Sequence, residues 1–437
     1  MPFGVPGLRK LALSLCLLAL SVTWLSCGGK YSGSNPSKVK FRAVISNSLH
    51  PVTTGVHVPA LEIMDATTDK LSFTPIGLSA LPDLSTLDVA SNKLLTLAYS
   101  PGGHQFELVN NTTEQASGTP VTLPAATESF FLANNTLHIY AALPDLPIAG
   151  GVGTPGAVVQ VEVSSGNITA TIPVPHVRFI REVERGDFIL AFSDNSGGLC
   201  SPESGAVTII NTTKIGTSTD PRTLPPLCGF DHPVGAGVTP NISQPLILQC
   251  GSECGGTSKP AVVPLDLSTG MPGTPISVTA ATVAIGVANT LYVVGTAPGK
   301  TCTSGTAATA CGTLTVVDLT GATAPKSFEI PNGYHDKIEV TTDGQIAIGS
   351  HDCTEISTST ETRGCLAFFN PATSKVVVAA FNGDVTGLAA VPGRNVLYAI
   401  QGGSFVVYDT TTDKFLPDHQ TAIVGELVDV KIIDNAP

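Results

Sequence analysis

Residues 314–321 read LTVVDLTG, a run of β-branched and apolar residues followed by Asp318 and a small polar turn that ends at Gly321. Related stretches return along the chain, such as LDLSTG at 265–270 and YDTTTD at 408–413. An Asp or Asn at the start of such a turn can accept hydrogen bonds from the backbone N–H groups ahead of it, and Ser, Thr and Gly tolerate the tight geometry that follows. The recurrence indicates that one strand-and-turn unit is repeated.

Eight of these turns can be counted, and successive turns start 39 to 55 residues apart. They start at Asp65, Asn110, Val163, Asn211, Asp266, Asp318, Asn370 and Asp409. Seven of the eight begin with Asp or Asn, and Val163 is the exception. A period of this length is typical of repeat architectures, in which each repeat is one small unit packed against its neighbours.

Within one interval the same order of strands repeats. The interval that leads to Asn370 contains HDKIEVTT (335–342), QIAIGS (345–350), CLAFFN (365–370) and KVVVAAF (375–381). Four short, nearly continuous apolar strands in about fifty residues predict a four-stranded sheet that is buried on both faces. Such a sheet is a propeller blade, so the sequence predicts an all-β chain with one propeller over residues 39–437. Tandem β-sandwiches are the competing architecture.

The two ends of the chain favour a closed ring. The first unit lacks an opening strand, while GELVDVKII at 425–433 is a surplus strand after the last unit. If both ends share one blade, the strand edges that would otherwise invite aggregation are paired. The count of turns then predicts eight blades.

Three short motifs, LYVVG (291–295), LYAIQ (397–401) and IYAAL (139–143), are each followed by a loop and a strand that ends in one of the counted turns, with Asp at the first two. In this the chain resembles the YVTN-type β-propeller repeat proteins of bacteria and archaea, over nearly its whole length beyond residue 40. The resemblance implies a propeller, and because that family usually has seven blades, seven is the alternative to eight. The fold carries many functions, so the resemblance implies architecture alone.

The N-terminus differs from the rest of the chain. Arg9 and Lys10 precede an apolar stretch at 11–25, which is too short to span a bilayer comfortably and is typical of an export signal. The sequence LSCGGK resembles a bacterial lipobox, which predicts a signal peptide at 1–26 and a lipid on Cys27. Residues 27–38, rich in Gly and Ser, are then a flexible tether. An ordinary secretory signal with an incidental Cys27 is the alternative.

Charge and composition exclude several classes of protein. Removal of residues 1–26 leaves 20 basic and 34 acidic residues, a net charge of −14, which argues against a nucleic-acid partner. The only tryptophan, Trp24, lies in the signal, which excludes WD repeats, tryptophan-docked quinoproteins and aspartate-box sialidases. No CxxCH haem motif and no GxSxG elbow occurs in the sequence.

Eight cysteines follow Cys27, and an even number in an exported chain predicts disulfides. They are Cys200, Cys228, Cys250, Cys254, Cys302, Cys311, Cys353 and Cys365. We expect Cys302 to pair with Cys311 and Cys353 with Cys365, because each pair brackets one long hairpin loop. The other four allow three pairings, and a zinc site built on CGSEC (250–254) is a further alternative.

Three histidines, His176, His232 and His335, occupy matching places at the start of a blade's innermost strand. Imidazoles that converge on the ring axis could hold a transition metal, with Asp231 or Asp336 orienting them. The competing interpretation is that each is an ordinary solvated or hydrogen-bonded histidine.

The long loops decide the functional expectation. Antiparallel topology places the links between second and third strands at the same end of the ring as the links between blades, and we call this end the long-looped face. Its longest insertions are 143–156, 194–205, 296–312 and 351–365. Since function on rigid scaffolds tends to reside in such loops, we expect a binding or scaffold module.

The partner expected from these features is a protein or polymer of the cell envelope. The protein itself would be a monomeric, exported cell-envelope lipoprotein, periplasmic or at the cell surface, that contacts the membrane only through its lipid. The alternative is an extracytoplasmic enzyme that uses the central funnel, as a lactonase-like or metal-dependent hydrolase.

Overall fold

The computed structural model of the protein describes most of the chain beyond the N-terminal segment. The described residues are 36–72, 74–148, 154–183, 186–194, 200, 205–217, 219–239, 242–301, 310–353 and 363–435. Cys27, the predicted signal peptide and most of the predicted tether therefore lie outside them. No helix in the described ranges is long and apolar enough to cross a membrane.

The chain forms eight antiparallel sheets arranged as the blades of a propeller. Blade 1 combines both ends of the chain, and its strands are β1 (Arg42–Thr53), β2 (Val56–Asp65), the short outer strands β3 (Lys70–Leu71) and β4 (Ile76–Gly77), and the C-terminal strand of the chain. Blades 2 and 3 follow with β5 (Leu87–Val89), β6 (Leu95–Ser100), β7 (Gln105–Asn110), β8 (Gln115–Thr122), β9 (Ser129–Leu132), β10 (His138–Leu143), β11 (Ala157–Glu162) and β12 (Ile168–Pro173).

Blades 4 to 6 continue in the same order along the chain. Their strands are β13 (Val177–Val183), β14 (Phe188–Ser193), β15 (Ala206–Asn211), β16 (Pro233–Thr239), β17 (Ile242–Gln249), β18 (Ala261–Pro264), β19 (Ile276–Ser277), β20 (Val283–Val287), β21 (Thr290–Thr301), β22 (Ala310–Asp318) and β23 (Lys326–Ile330). Blade 4 has three strands, and an irregular segment with two isolated bridges, Val207 to Leu227 and Ile210 to Arg222, takes the place of its fourth.

Blades 7 and 8 complete the series. Their strands are β24 (Tyr334–Val340), β25 (Ile346–His351), β26 (Cys365–Asn370), β27 (Lys375–Val378), β28 (Val385–Ala390), β29 (Val396–Gln401), β30 (Ser404–Asp409) and β31 (Lys414–Phe415), and β32 (Leu427–Ile432) then returns to blade 1. Short 3-10 helices occur at Thr212–Lys214, Gly251–Cys254 and Pro417–His419.

The innermost strands contact one another in an unbroken circle. Each of β32, β5, β9, β13, β16, β20, β24 and β28 touches the next, and β28 touches β32. This closed circle confirms one propeller of eight blades. The alternative of seven blades, which the family resemblance suggested, is therefore wrong for this chain, as is the arrangement in tandem sandwiches.

The hydrophobic core consists of eight clusters, one between each pair of neighbouring blades. Each third strand contributes alternate side chains to two of these clusters. In β30, Phe405 and Val407 pack towards blade 1, whereas Val406 and Tyr408 pack towards blade 7. Because successive side chains of a strand point to opposite faces, burial on both sides favours apolar residues at nearly every position of the strand. This preference explains the repeated apolar runs.

The polar turn after each third strand behaves as the sequence predicts. At Asp318, one carboxylate oxygen accepts from the backbone N–H of Thr320 at 2.9 Å and from its hydroxyl at 2.6 Å. In all seven turns that begin with Asp or Asn, the side chain accepts from the N–H two residues ahead, at 2.8 to 3.0 Å. These hydrogen bonds satisfy backbone N–H groups at the point where the chain leaves the sheet.

Ring closure depends on β1 pairing with β32, in the register Ala43 to Ile432 and Ile45 to Val430. Arg42, at the start of β1, has a buried guanidinium that reinforces the pairing of β1 with β32. This group bonds Asp434 after β32 at 2.7 Å and Glu114 of blade 2 at 2.8 Å. The expected sharing of one blade by both chain ends is confirmed.

A second polar contact joins blade 1 to blade 8. The carboxylate of Asp69 is fully buried and receives both Nη atoms of Arg394, at 2.6 and 2.7 Å. It also receives the Tyr398 hydroxyl and, at 2.6 Å, Nδ1 of His419. Burial by itself would raise the pKa of Asp69, but these hydrogen bonds outweigh burial and lower it.

We expect Asp69→Asn to lower the free energy of unfolding by about 3 kcal/mol at pH 7, because it leaves Arg394 without its buried counter-ion. Asn tolerates the positive φ of 59° at this position, so the backbone is not strained. Chemical denaturation measures the change, with Asp266→Asn in an exposed turn as the control. Since the pKa of Asp69 is lowered by folding, the difference should shrink as the pH falls below about 4. Equal losses of unfolding free energy in the Asp69 and Asp266 variants would contradict a role of Asp69 in joining blades 1 and 8.

A second buried carboxylate lacks such partners. Glu107 of β7 is 4% exposed, lies on the same face of its strand as Val109 and so faces blade 1, and one of its oxygens has no hydrogen bond. Burial raises its pKa from the ordinary 4.5 to about 7. Because the folded state binds the proton more tightly than the unfolded state, stability is lost as the pH rises from 4.5 to 7.

Glu107→Gln should therefore stabilise the protein at pH 8 by up to about 3 kcal/mol, since it removes a charge that burial disfavours. At pH 4 the difference should vanish. Thermal unfolding over this pH range measures the effect, and the same substitution at the exposed Glu426 is the control. A stabilisation by Glu107→Gln that does not depend on pH would show that the charge of Glu107 is not its cause.

Candidate functional site: the central channel and its mouth

The central channel is lined by the innermost strands. One cavity, which we call the main cavity because it receives side chains from six of those eight strands, has a volume of about 400 Å³. A cavity of about 520 Å³ lies further towards the short-looped end. Phe179, Val283, Ile285 and Leu388 form the apolar part of the wall of the main cavity, and Arg181 of β13 also lines this cavity. The volume lies at the lower end of the range of small-molecule pockets, about 300–1,000 Å³.

One end of the channel holds a group of opposite charges, in which Asp429, Asp88 and Glu339 surround Lys431. Every innermost strand runs from the long-looped face to the opposite face, so Glu339 and Lys431, each next to last in its strand, lie at the far end. Lys431 Nζ is 3.0 Å from Asp429 Oδ1. Burial alone would lower the pKa of Lys431, but the carboxylates around it, Asp429 first, raise it. Lys431 therefore stays charged and is neutralised locally.

At the opposite end of the channel, blades 7 and 8 form an ionic cluster that we call the mouth cluster: Asp336, Lys337, His351 and Asp384. The His351 ring lies between two carboxylates, with Nε2 3.3 Å from Asp336 Oδ1 and Nδ1 3.4 Å from Asp384 Oδ2. These two acids, Asp336 first, raise the pKa of His351. Lys337 lies 2.7 Å from the other oxygen of Asp336. The cluster ties the start of β28 to the end of β25.

A second cavity of about 310 Å³ opens beside the mouth cluster. Its walls include the rings of Phe179, Phe192 and Tyr334, and the last of these is 62% exposed. At its rim Arg178 is paired with Glu128 and Asp194, the latter at 2.8 Å. Because Phe179 and Tyr334 also line the main cavity, the two spaces form one funnel.

A disulfide-closed turn supports the funnel from blade 5. The Cys250–Cys254 bond closes the 3-10 helix that carries Glu253, whose carboxylate accepts the backbone N–H groups of Ala281, at 2.7 Å, and Thr296 in blade 6. Burial raises the pKa of Glu253 to about 7, although these amides oppose the shift. This turn therefore fixes β21 and the residues before β20 in blade 6 to blade 5.

The cysteine pairing is resolved for six of the eight residues. Cys353 is bonded to Cys365, as predicted, and the previously open pairs are Cys200 with Cys228 and Cys250 with Cys254. The disulfide within CGSEC replaces the alternative of a zinc site there. Cys311 is also disulfide-bonded. Its expected partner, Cys302, lies outside the described residues.

The three histidines proposed as metal ligands have separate surroundings. The ring of His335 is buried, with Nε2 3.0 Å from the carbonyl of Pro331, and burial lowers its pKa to about 4. His232 bonds its neighbour Asp231 at 2.7 Å, as the sequence suggested for that carboxylate. His176 is half-buried in a turn before β13.

Among the residues that the structure describes, no group of three or more His, Cys, Asp or Glu is arranged to hold a metal ion. The structure thus does not bring the three histidines together as a ligand set. Asp336, suggested as a partner of His335, bonds Lys337 and His351 instead. The mouth cluster was not found by the sequence argument, and its only signal there is the position of His351 at the end of a second strand.

Comparisons with known proteins agree with the fold and add no family. No family model matches the sequence, and no curated protein matches it. Among solved structures, the chain is similar to one described as Kuenenia stuttgartiensis hydrazine synthase, with 12% identity, a TM-score of 0.52, and 78% of this chain and 97% of that chain covered. At this identity the likeness shows the fold alone.

The disulfides give a ranked prediction. A cross-link stabilises more when it closes a longer loop, so Ser substitution of both Cys200 and Cys228, separated by 28 residues, should cost about 3.5 kcal/mol. The same change at Cys353 and Cys365, separated by 12 residues, should cost about 3 kcal/mol. Denaturant unfolding measures both, and non-reducing peptide mapping checks the pairing. Peptides that link Cys200 to Cys250 would contradict the structure.

Proposed function

We propose that this protein is a binding or scaffold module of the cell envelope, exported and held at the membrane by a lipid on Cys27, and that its long-looped face engages a protein or polymer. The observation that carries the proposal is the position of two disulfides on the long-looped face. Cys250–Cys254 and Cys353–Cys365 each close a link between a second and a third strand. The blade sheets are complete without these bonds.

Disulfides in these links favour binding because they restrict the loops before a partner arrives. Association costs free energy when loops must be ordered, and a loop that is already fixed avoids that cost. The Glu253 turn and the mouth cluster add ionic and hydrogen-bonded support on the same face. Disulfides also persist in the oxidising compartments outside the cytoplasm, which supports an extracytoplasmic location.

One observation favours the alternative of an extracytoplasmic enzyme. His351 lies between two carboxylates beside the funnel, and a histidine held in this way is suited to general acid or base catalysis. A lactonase-like or other hydrolase would use this ring. The binding proposal ranks first because it uses the whole face and requires no nucleophile.

The two proposals predict different results for matched variants. Tyr334→Ala removes a 62% exposed ring at the funnel, and Leu137→Ala removes a 60% exposed side chain from a link on the opposite face. In affinity capture from envelope extract, we expect Tyr334→Ala to reduce capture of the main partner at least tenfold and Leu137→Ala to leave it unchanged. Equal capture by both variants would exclude the long-looped face as the binding surface. Hydrolysis of a lactone or ester panel that is lost in His351→Gln would instead establish the enzyme.

A further inference from the structure

We propose that the central channel is a binding site for a small organic anion, whose carboxylate or phosphate group pairs with Arg181. Arg181 lies on β13, is half-buried, and lines both the main cavity and a neighbouring cavity of about 340 Å³. This site lies inside the channel, whereas the proposed function uses the loops around the channel mouth; the two share the funnel.

The cations of the main cavity differ in their partners. Lys337 is 2.7 Å from Asp336, and Lys431 is 3.0 Å from Asp429. Within the described part of the chain, the side chain of Arg181 has no hydrogen bond and no ion pair. Burial lowers its pKa, and no carboxylate lies near enough to raise it. Arg181 is therefore the cation of this cavity that retains its full capacity to bind an anion.

A guanidinium in this state is costly to the fold. It loses part of its hydration on folding and recovers no charge-assisted hydrogen bond in return. The planar fork of arginine suits bidentate recognition of a carboxylate or a phosphate. A bound oxyanion would thus supply the contacts that the protein itself does not provide.

The walls around Arg181 define the rest of the ligand. Phe179 lies two residues before Arg181 on the same strand, and Val283, Ile285 and Leu388 line the cavity from other blades. Such surfaces favour an apolar body attached to the charged group. A cavity of about 400 Å³ limits the ligand to a small molecule.

Charges further along the axis set the direction of approach. Glu339 lies near the short-looped end and Asp429 in the middle of β32, and Lys431 offsets only part of the negative charge of these carboxylates. An anion is not attracted to that end. It therefore enters from the funnel on the long-looped face, passes Tyr334 and stops at Arg181.

Calorimetric titration of the whole mature protein tests this inference, with hexanoate, phenyl phosphate, inorganic phosphate and neutral hexanol as probes. We expect hexanoate or phenyl phosphate to bind more tightly than both inorganic phosphate and hexanol. Arg181→Gln should weaken that binding at least tenfold, and Arg181→Lys should restore part of it. Arg222→Gln, at the outer edge of the same blade and paired with Asp220, is the control and should bind as the wild type does.

Thermal unfolding of the same variants separates a ligand site from a structural role. Because the side chain of Arg181 has no partner among the described residues, Arg181→Gln should unfold at the same temperature as the wild type or higher. A lower melting temperature would assign Arg181 a structural role and overturn the inference. So would the absence of binding by all four probes at millimolar concentration, or equal affinity in wild type and Arg181→Gln.

Discussion

The antiparallel pairing of β1 with β32 is the contact on which the whole ring depends. Each blade packs only against its two neighbours, so a break between blades 8 and 1 would expose two large apolar faces at once. The pairing joins residues almost 390 positions apart, such as Ala43 and Ile432. The entropy of closing so long a loop is unfavourable, which explains why ionic contacts of Arg42 and Asp69 reinforce this junction.

The sequence predicts the fold well because two-sided burial and turn chemistry are local properties. A third strand such as 314–317 is mostly apolar, and Asp318 follows it and satisfies the turn. Seven repeats of that combination, together with the one at Val163 that lacks the Asp or Asn, predict eight blades without any knowledge of contacts. The number of blades taken from a resembling family is a weaker guide, since a ring can gain one unit without any change in the repeat itself.

The candidate site is harder to predict, because it depends on which side chains turn towards the axis. His176, His232 and His335 match in position along the chain, yet His335 turns into the protein interior and bonds a backbone carbonyl. The innermost strands also contain bulges, such as those near Val177 and His335, which change the direction of the residues that follow. Loop disulfides are easier to predict. Cys353 and Cys365 bracket one hairpin, so their pairing can be predicted without knowledge of side-chain direction.

The charges of this protein fall into two classes that differ in what they do for the fold. Arg42, Asp69 and Lys431 meet opposite charges at hydrogen-bonding distance, so each is compensated by the structure itself. Arg181 and Glu107 are partly desolvated and have no such partner in the described part of the chain, and a fold selected for stability alone would replace them with apolar or neutral residues. Glu107 faces a neighbouring blade, where only a proton can neutralise it. Arg181 faces an open channel that a molecule can enter, so an external anion can supply its missing partner.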